Sequence, residues 1–217
     1  MDIKCFRNHT ICRTCTKSYR DYKSYKEYLA NDFSHRCAYC NLKDSSVTSF
    51  FEIDHFVPKS IVEAKPCYKY LITDYNNLMY TCRNCNNAKS DQYEGDINND
   101  PYENRLFYNP VTTDMNKIFF RDEYGGINSE DVLGNEMINR LNLYLPIHNL
   151  AWICELLDDL TNRLDAAIEK ETTNEERKSL LISASHKAHQ YYKLCNNVFI
   201  ANYNNKQYTS LHIPMHS

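Results

Sequence analysis

Between residues 37 and 89 the chain reads Cys37-Ala38-Tyr39-Cys40, then Phe51-Glu52-Ile53-Asp54-His55-Phe56-Val57-Pro58-Lys59-Ser60, then Asn77-Leu78, then Cys82-Arg83-Asn84-Cys85-Asn86-Asn87-Ala88-Lys89. Two Cys-x-x-Cys turns bracket an Asp-His pair, and the asparagines at 77 and 86 complete the set. Such a turn brings two sulfurs close enough to chelate one ion, and two turns supply the four thiolates of a tetrahedral structural zinc site. The expected Zn²⁺ ligands are therefore Cys37, Cys40, Cys82 and Cys85. Zinc ribbons usually separate their turns by roughly 15–20 residues. The gap from Cys40 to Cys82 is much longer, so a substructure sits between the turns, and the Asp-His pair lies in it. A redox dithiol needs only one such turn.

Within that insertion, Ser46 to Ile53 is rich in Val, Thr, Phe and Ile and reads as a strand or hairpin arm. Asp54-His55 ends it, and Pro58 breaks the strand soon after. The run Asn86 to Lys89 has neither Pro nor Gly and reads as the opening of a helix. A carboxylate and an amide oxygen are hard ligands, suited to Mg²⁺ or Mn²⁺ rather than to zinc. A neighbouring His is the side chain best able to take a proton near neutral pH. One base to activate water and one ion to stabilise the leaving oxygen make a minimal phosphodiesterase.

The string Asp54-His55-Phe56-Val57-Pro58-Lys59-Ser60, then Asn77, then Asn86-x-x-Lys89, closely resembles an HNH endonuclease. The Asp-His-x-x-Pro-x-Ser form, with Asn in the last position, is also similar to the HNH domain of RNA-guided CRISPR nucleases. The resemblance covers about a quarter of the chain. It implies an α+β fold: a ββα-metal core with zinc knuckles, here flanked by an N-terminal helical arm and a C-terminal helical segment. By that resemblance His55 is the general base, and Asp54 and Asn86 hold the catalytic divalent ion. Asn77 fixes the His-bearing loop through backbone hydrogen bonds, and Lys89 contacts phosphate. The last family position is often His. Asn86 offers a neutral oxygen instead, which favours one weakly held Mg²⁺ or Mn²⁺ over a tightly held transition metal. Asn87 is adjacent and could exchange roles with Asn86. Lys59 and Lys89 read equally well as solvated surface charges.

The 217 residues, 42% hydrophobic and 24% charged, are ordinary for a globular protein and long enough for a domain with an appendage. No apolar run approaches the ~20 residues of a membrane span. Met1-Asp2-Ile3-Lys4 lacks the apolar core of a signal peptide, so the ten cysteines point to a reducing cytoplasm. Only four glycines and no Walker-type motif argue against a phosphate-binding loop, so any nucleotide-driven motor is another chain. Net charge is −3, weak for a free-standing nucleic-acid binder. Residues 1–92 carry 14 Lys and Arg against 10 Asp and Glu, a balance of +4, and residues 93–217 carry −7. The nuclease-like half is thus the more basic half.

Three segments are expected: an arm over 1–36, the HNH core over 37–105, and a hairpin with C-terminal helices over 106–217. Cys5, His9, Cys12 and Cys15 in the arm form a compact set of soft ligands that could hold a second zinc. Tyr19, Tyr22, Tyr25, Leu29 and Phe33 recur at helical spacing, predicting one amphipathic helix over 17–33. Leu71, Ile72, Leu78, Met79 and Tyr80 read as core, Cys67 as a buried thiol, and Ser90 to Glu103 as a polar loop. Strands are expected at Leu106–Pro110 and Lys117–Arg121, with a hairpin turn at Tyr124–Ile127. Helices follow from Ser129 to Leu145, from Ile147 to Ile168, and from about Glu175 to Val198. His186 and His189, one turn apart in the last, read as exposed or satisfied rather than as ligands. This layout is similar to the nuclease subunits of bacterial anti-phage systems, the HNH subunit of Septu-type systems and the HNH proteins of some retrons. In that family the nuclease works with an ATPase that senses infection. The resemblance therefore implies a DNA endonuclease with an ATPase partner. The alternative is a non-catalytic zinc-ribbon module that grips nucleic acid or a partner.

Overall fold

In the computed structural model, which describes residues 4–208 and 211, the chain is mixed α+β. It divides into two compact units, residues 1–144 and 145–217. The arm, the motif region and the small hairpin all fall in the first unit. Its elements are β1 (Lys4–Cys5), α1 (Lys26–Asp32), β2 (Glu52–His55), α2 (Lys59–Glu63), β3 (Leu78–Thr81), α3 (Arg83–Lys89), β4 (Phe120–Arg121), β5 (Ile127–Asn128) and α4 (Val132–Arg140). The second unit holds α5 (Pro146–Lys170) and α6 (Glu175–Asn204).

The centre of the first unit is the β2–β3 hairpin followed by α3. The strands pair antiparallel, with Glu52 opposite Thr81, Asp54 opposite Met79 and His55 opposite Leu78. The strand expected over Ser46–Ile53 is shifted and shortened. Asp44–Ser46 winds into a 3-10 turn, and pairing begins only at Glu52 because β3 offers four residues between the turn at Tyr75–Asn77 and Cys82. The helix also starts earlier than expected. Cys82 sits at its N-terminal boundary in extended conformation, and its carbonyl accepts from Asn86 N at 3.0 Å. Asn86 thus lies mid-helix and Lys89 closes the element. Between the hairpin strands, α2 and a 3-10 stretch at Pro66–Ile72 bury Val57, Val62 and Leu71 with Ile97 from the polar loop. Cys67 is exposed on that stretch, contrary to the expected buried thiol.

The arm is held by arginines. Arg7 donates to Ala38 O at 2.7 Å, and Arg13 donates to Leu78 O at 2.6 Å while stacking over Phe33 and Tyr75. Asp32 accepts from Thr14 and from the Tyr75 hydroxyl. Cys5 and Cys12 are exposed, and among the described residues the arm's Cys5, His9, Cys12 and Cys15 do not gather into a metal-binding group. The expected helix over 17–33 reduces to a 3-10 turn at Tyr22–Tyr25 running into α1, because Asp21 caps it by accepting from Lys23 N. Tyr25, Leu29 and Phe33 form its buried face.

Leu106–Pro110 is irregular rather than a strand. β4 pairs instead with β5 across a turn organised by Asp122, and with β1 on its other side. In the second unit α5 and α6 form a helical hairpin, with Ser185 donating to Asp165 at 2.6 Å across it. Leu156, Leu160, Leu180, Tyr191 and Leu194 are exposed on this pair, as are His186 and His189. Among the described residues no helix is long and apolar enough to cross a membrane.

Candidate metal and catalytic centre

The two Cys-x-x-Cys turns meet. The Sγ atoms of Cys37, Cys40, Cys82 and Cys85 lie within 4.8 Å of one another, and all four residues are buried. The Cys40 and Cys82 sulfurs are 3.7 Å apart. A tetrahedron with metal–sulfur bonds of about 2.3 Å has an edge of about 3.8 Å, so the donor set has the chemistry and the spacing of a four-thiolate ion site. The first turn is stitched to β3 by Ala38 N donating to Tyr80 O at 2.8 Å, which fixes it beside Cys82. Hydrogen bonding to Cys37 and Cys40, together with burial, holds the Cys82 and Cys85 thiols well above their ordinary range. A divalent cation in their midst reverses that preference.

On the hairpin, Asp54, His55, Pro58, Lys59, Asn86, Asn87, Ser90 and Asp91 line one open cavity of about 350 Å³. Asp54 is 5% exposed. Its Oδ2 accepts from the Tyr39 hydroxyl at 2.8 Å, and its Oδ1 accepts from Lys89 Nζ at 3.2 Å. Burial raises its carboxyl above the ordinary range, against the pull of Lys89 and Tyr39. Lys89 itself is fully buried and also donates to His55 O at 2.9 Å. That placement corrects the expected phosphate contact: the ammonium is spent on Asp54 and the backbone and reaches no solvent.

The His55 ring donates Nε2–H to Ile72 O at 2.9 Å, which leaves Nδ1 with the free lone pair. Burial pulls the imidazole down to about 4, helped by Lys59 and Lys89 and opposed by the Ile72 carbonyl. Tyr22 stands edge-on to this ring at 4.8 Å and accepts from Lys59 Nζ at 2.9 Å. Asn77 is completely buried behind the loop. Its side chain accepts from Val57 N at 2.8 Å and donates to Val57 O and Leu71 O, and its carbonyl accepts from Phe56 N. The two residues after His55 are thereby pinned.

Asn86 Nδ2 donates to Glu52 Oε2 at 2.6 Å, so the amide cannot spin freely and its Oδ1 remains for another partner. Arg83 lies 3.7 Å from the other Glu52 oxygen. Glu52, Tyr39 and Tyr22 are the residues that sequence reasoning missed. Glu52 had a signal, because a strand repeats its face every two residues and Glu52 and Asp54 therefore share one. Tyr39 stood inside the first Cys-x-x-Cys turn, but nothing in the string says where its hydroxyl points.

Residues 37–92 match the family model described as HNH endonuclease. Over that stretch the chain is similar to HNH endonucleases. Its similarity to a curated protein, the Septu protein PtuB of Bacillus mycoides (strain KBAB4), is 33% identity over 84 residues. That match covers 36% of this chain and 28% of the relative, so the chain spans less than a third of that protein's length. No solved structure matches. The stretch matched by the HNH model covers β2, β3, α3 and both cysteine turns.

Proposed function

We propose that the chain is a metal-dependent endonuclease that hydrolyses phosphodiester bonds in DNA, the effector nuclease of an anti-phage system acting in the cytoplasm with an ATPase partner. The observation that carries the reading is the His55 ring. Its Nε2–H is committed to a backbone carbonyl, its Nδ1 is free to accept, and its site keeps it neutral at physiological pH. A neutral imidazole is the form a general base needs. His55 Nδ1 takes a proton from the water that attacks phosphorus in line. Asp54 and the Asn86 amide oxygen would hold the Mg²⁺ or Mn²⁺ ion, which supplies charge to stabilise the oxyanion and the departing 3′-oxygen. Asn77 holds the His55 loop against displacement. Lys59, at the cavity wall, contacts the substrate phosphate in place of Lys89. The four cysteines hold a structural zinc. The exposed apolar residues of α5 and α6 support docking of a protein partner. The substrate class is tested by incubating matched DNA and RNA with the chain and Mg²⁺. Cleavage of the DNA is expected, and cleavage of the RNA alone overturns the DNA assignment.

A further inference from the structure

We infer that Tyr39 is a positioning residue through which the four-cysteine site sets the geometry of Asp54, so that the structural ion and the catalytic ion are coupled. The inference rests on the reading of Asp54 as a ligand of the catalytic ion.

Each half of the cysteine site delivers one donor to the same carboxylate. Tyr39 lies between Cys37 and Cys40, is completely buried, and places its hydroxyl 2.8 Å from Asp54 Oδ2. Lys89 lies four residues after Cys85, one turn along the same face of α3, and places Nζ 3.2 Å from Asp54 Oδ1. The first turn has little freedom of its own. Ala38 O accepts from Arg7 at 2.7 Å, Cys40 O accepts from the buried Arg121 at 3.4 Å, and Ala38 N is tied to β3. The position of the Tyr39 hydroxyl therefore follows the position of the knuckle, and an ion on the four sulfurs would tie that knuckle to Cys82 and Cys85. A carboxylate oxygen has room for more than one partner. Tyr39, Lys89 and the His55 backbone together hold the carboxylate in place, and Asp54 still lines the cavity. Partners of a ligand usually alter metal affinity by about 10–100-fold when removed.

The test uses the full chain and Mn²⁺ as the probe of the cavity site, with Mn²⁺ affinity read by electron paramagnetic resonance and zinc content read per chain. Three proteins are compared: the parent, Tyr39→Phe and Asp54→Asn. Expected is a loss of Mn²⁺ binding in Asp54→Asn, and about 10-fold weaker binding in Tyr39→Phe at full zinc content. A purely packing role for Tyr39 predicts unchanged Mn²⁺ affinity in Tyr39→Phe, which overturns the inference. Unchanged affinity in Asp54→Asn overturns the ligand reading beneath it instead. Should Tyr39→Phe lose its zinc or its fold, the parent decides. Coupling is reciprocal in binding free energy, so the zinc affinity of the parent, read at equilibrium by competition with a zinc-selective chelator, rises when saturating Mg²⁺ is present, and Asp54→Asn removes that rise. A parent whose zinc affinity ignores Mg²⁺ overturns the inference.

Discussion

At the scale of single residues, the site depends on a few side chains whose orientation is set by a partner. Glu52 is one such partner, because its carboxylate fixes the amide of Asn86. Replacing Glu52 by Ala frees that amide to rotate, and about a 10-fold rise in the divalent-ion concentration needed for half-maximal cleavage is expected, with zinc content unchanged. An unchanged ion requirement assigns Glu52 to surface pairing with Arg83. His55 makes a second residue-level prediction, in pH. Its folded value is depressed to about 4 from an ordinary 6.5. Between those values the unfolded chain binds a proton that the folded chain refuses, so His55 removes stability as pH falls through that window. His55→Asn eliminates this loss. Relative to its own value at pH 7.5, the variant should gain on the order of 2 kcal/mol over the parent at pH 5 in denaturant unfolding. Parallel pH profiles for the two proteins contradict the buried, neutral imidazole.

At the scale of elements, β2 and α3 are joined by a buried ion pair, Asp54 with Lys89. Removing one member of such a pair strands the other charge, at a cost of about 3–5 kcal/mol. Lys89→Met is expected to destabilise by that amount, and adding Asp54→Asn should recover part of it. Additive losses in the double variant would show that the two do not interact. Lys89 also marks what was and was not legible in the sequence. Asp54, His55, Asn77 and Asn86 stand out in the sequence because their types and order make a local string, and the structure brings Asp54, His55 and Asn86 to one cavity. The burial of Lys89 could not, because lysine is almost never fully buried and only the packed carboxylate makes it tolerable. The bounds of β2 were hidden for a similar reason. A strand exists only where a partner strand meets it, and β3 is four residues long. In the arm, Cys5, His9, Cys12 and Cys15 have ligand chemistry. Closeness in sequence does not gather side chains in an extended segment, and Arg7 and Arg13 anchor it instead. In the second unit α5 was legible because its apolar residues repeat over many turns, and α6 because Thr172 to Glu176 reads as a turn and helix start.

At the scale of the molecule, the first unit is a small α+β body built around four buried cysteines, and its stability is expected to depend on their ion. Stripping zinc should abolish the cooperative thermal transition of the first unit rather than merely stop turnover, as followed by near-ultraviolet circular dichroism. An unchanged transition in zinc-free protein contradicts the structural assignment. The balance of +4 over residues 1–92 against −7 over residues 93–217 accords with modest intrinsic DNA affinity, since non-specific binding comes mainly from phosphate neutralisation. The role of His55 as the base of a metal-dependent nuclease is tested most directly by plasmid cleavage in Mg²⁺ or Mn²⁺, comparing the intact chain with His55→Ala, alone and with an ATPase partner. Cleavage by the intact chain is expected, with a loss of at least about 100-fold in the variant. Equal cleavage by both proteins, or none by the intact chain in either setting, would contradict it.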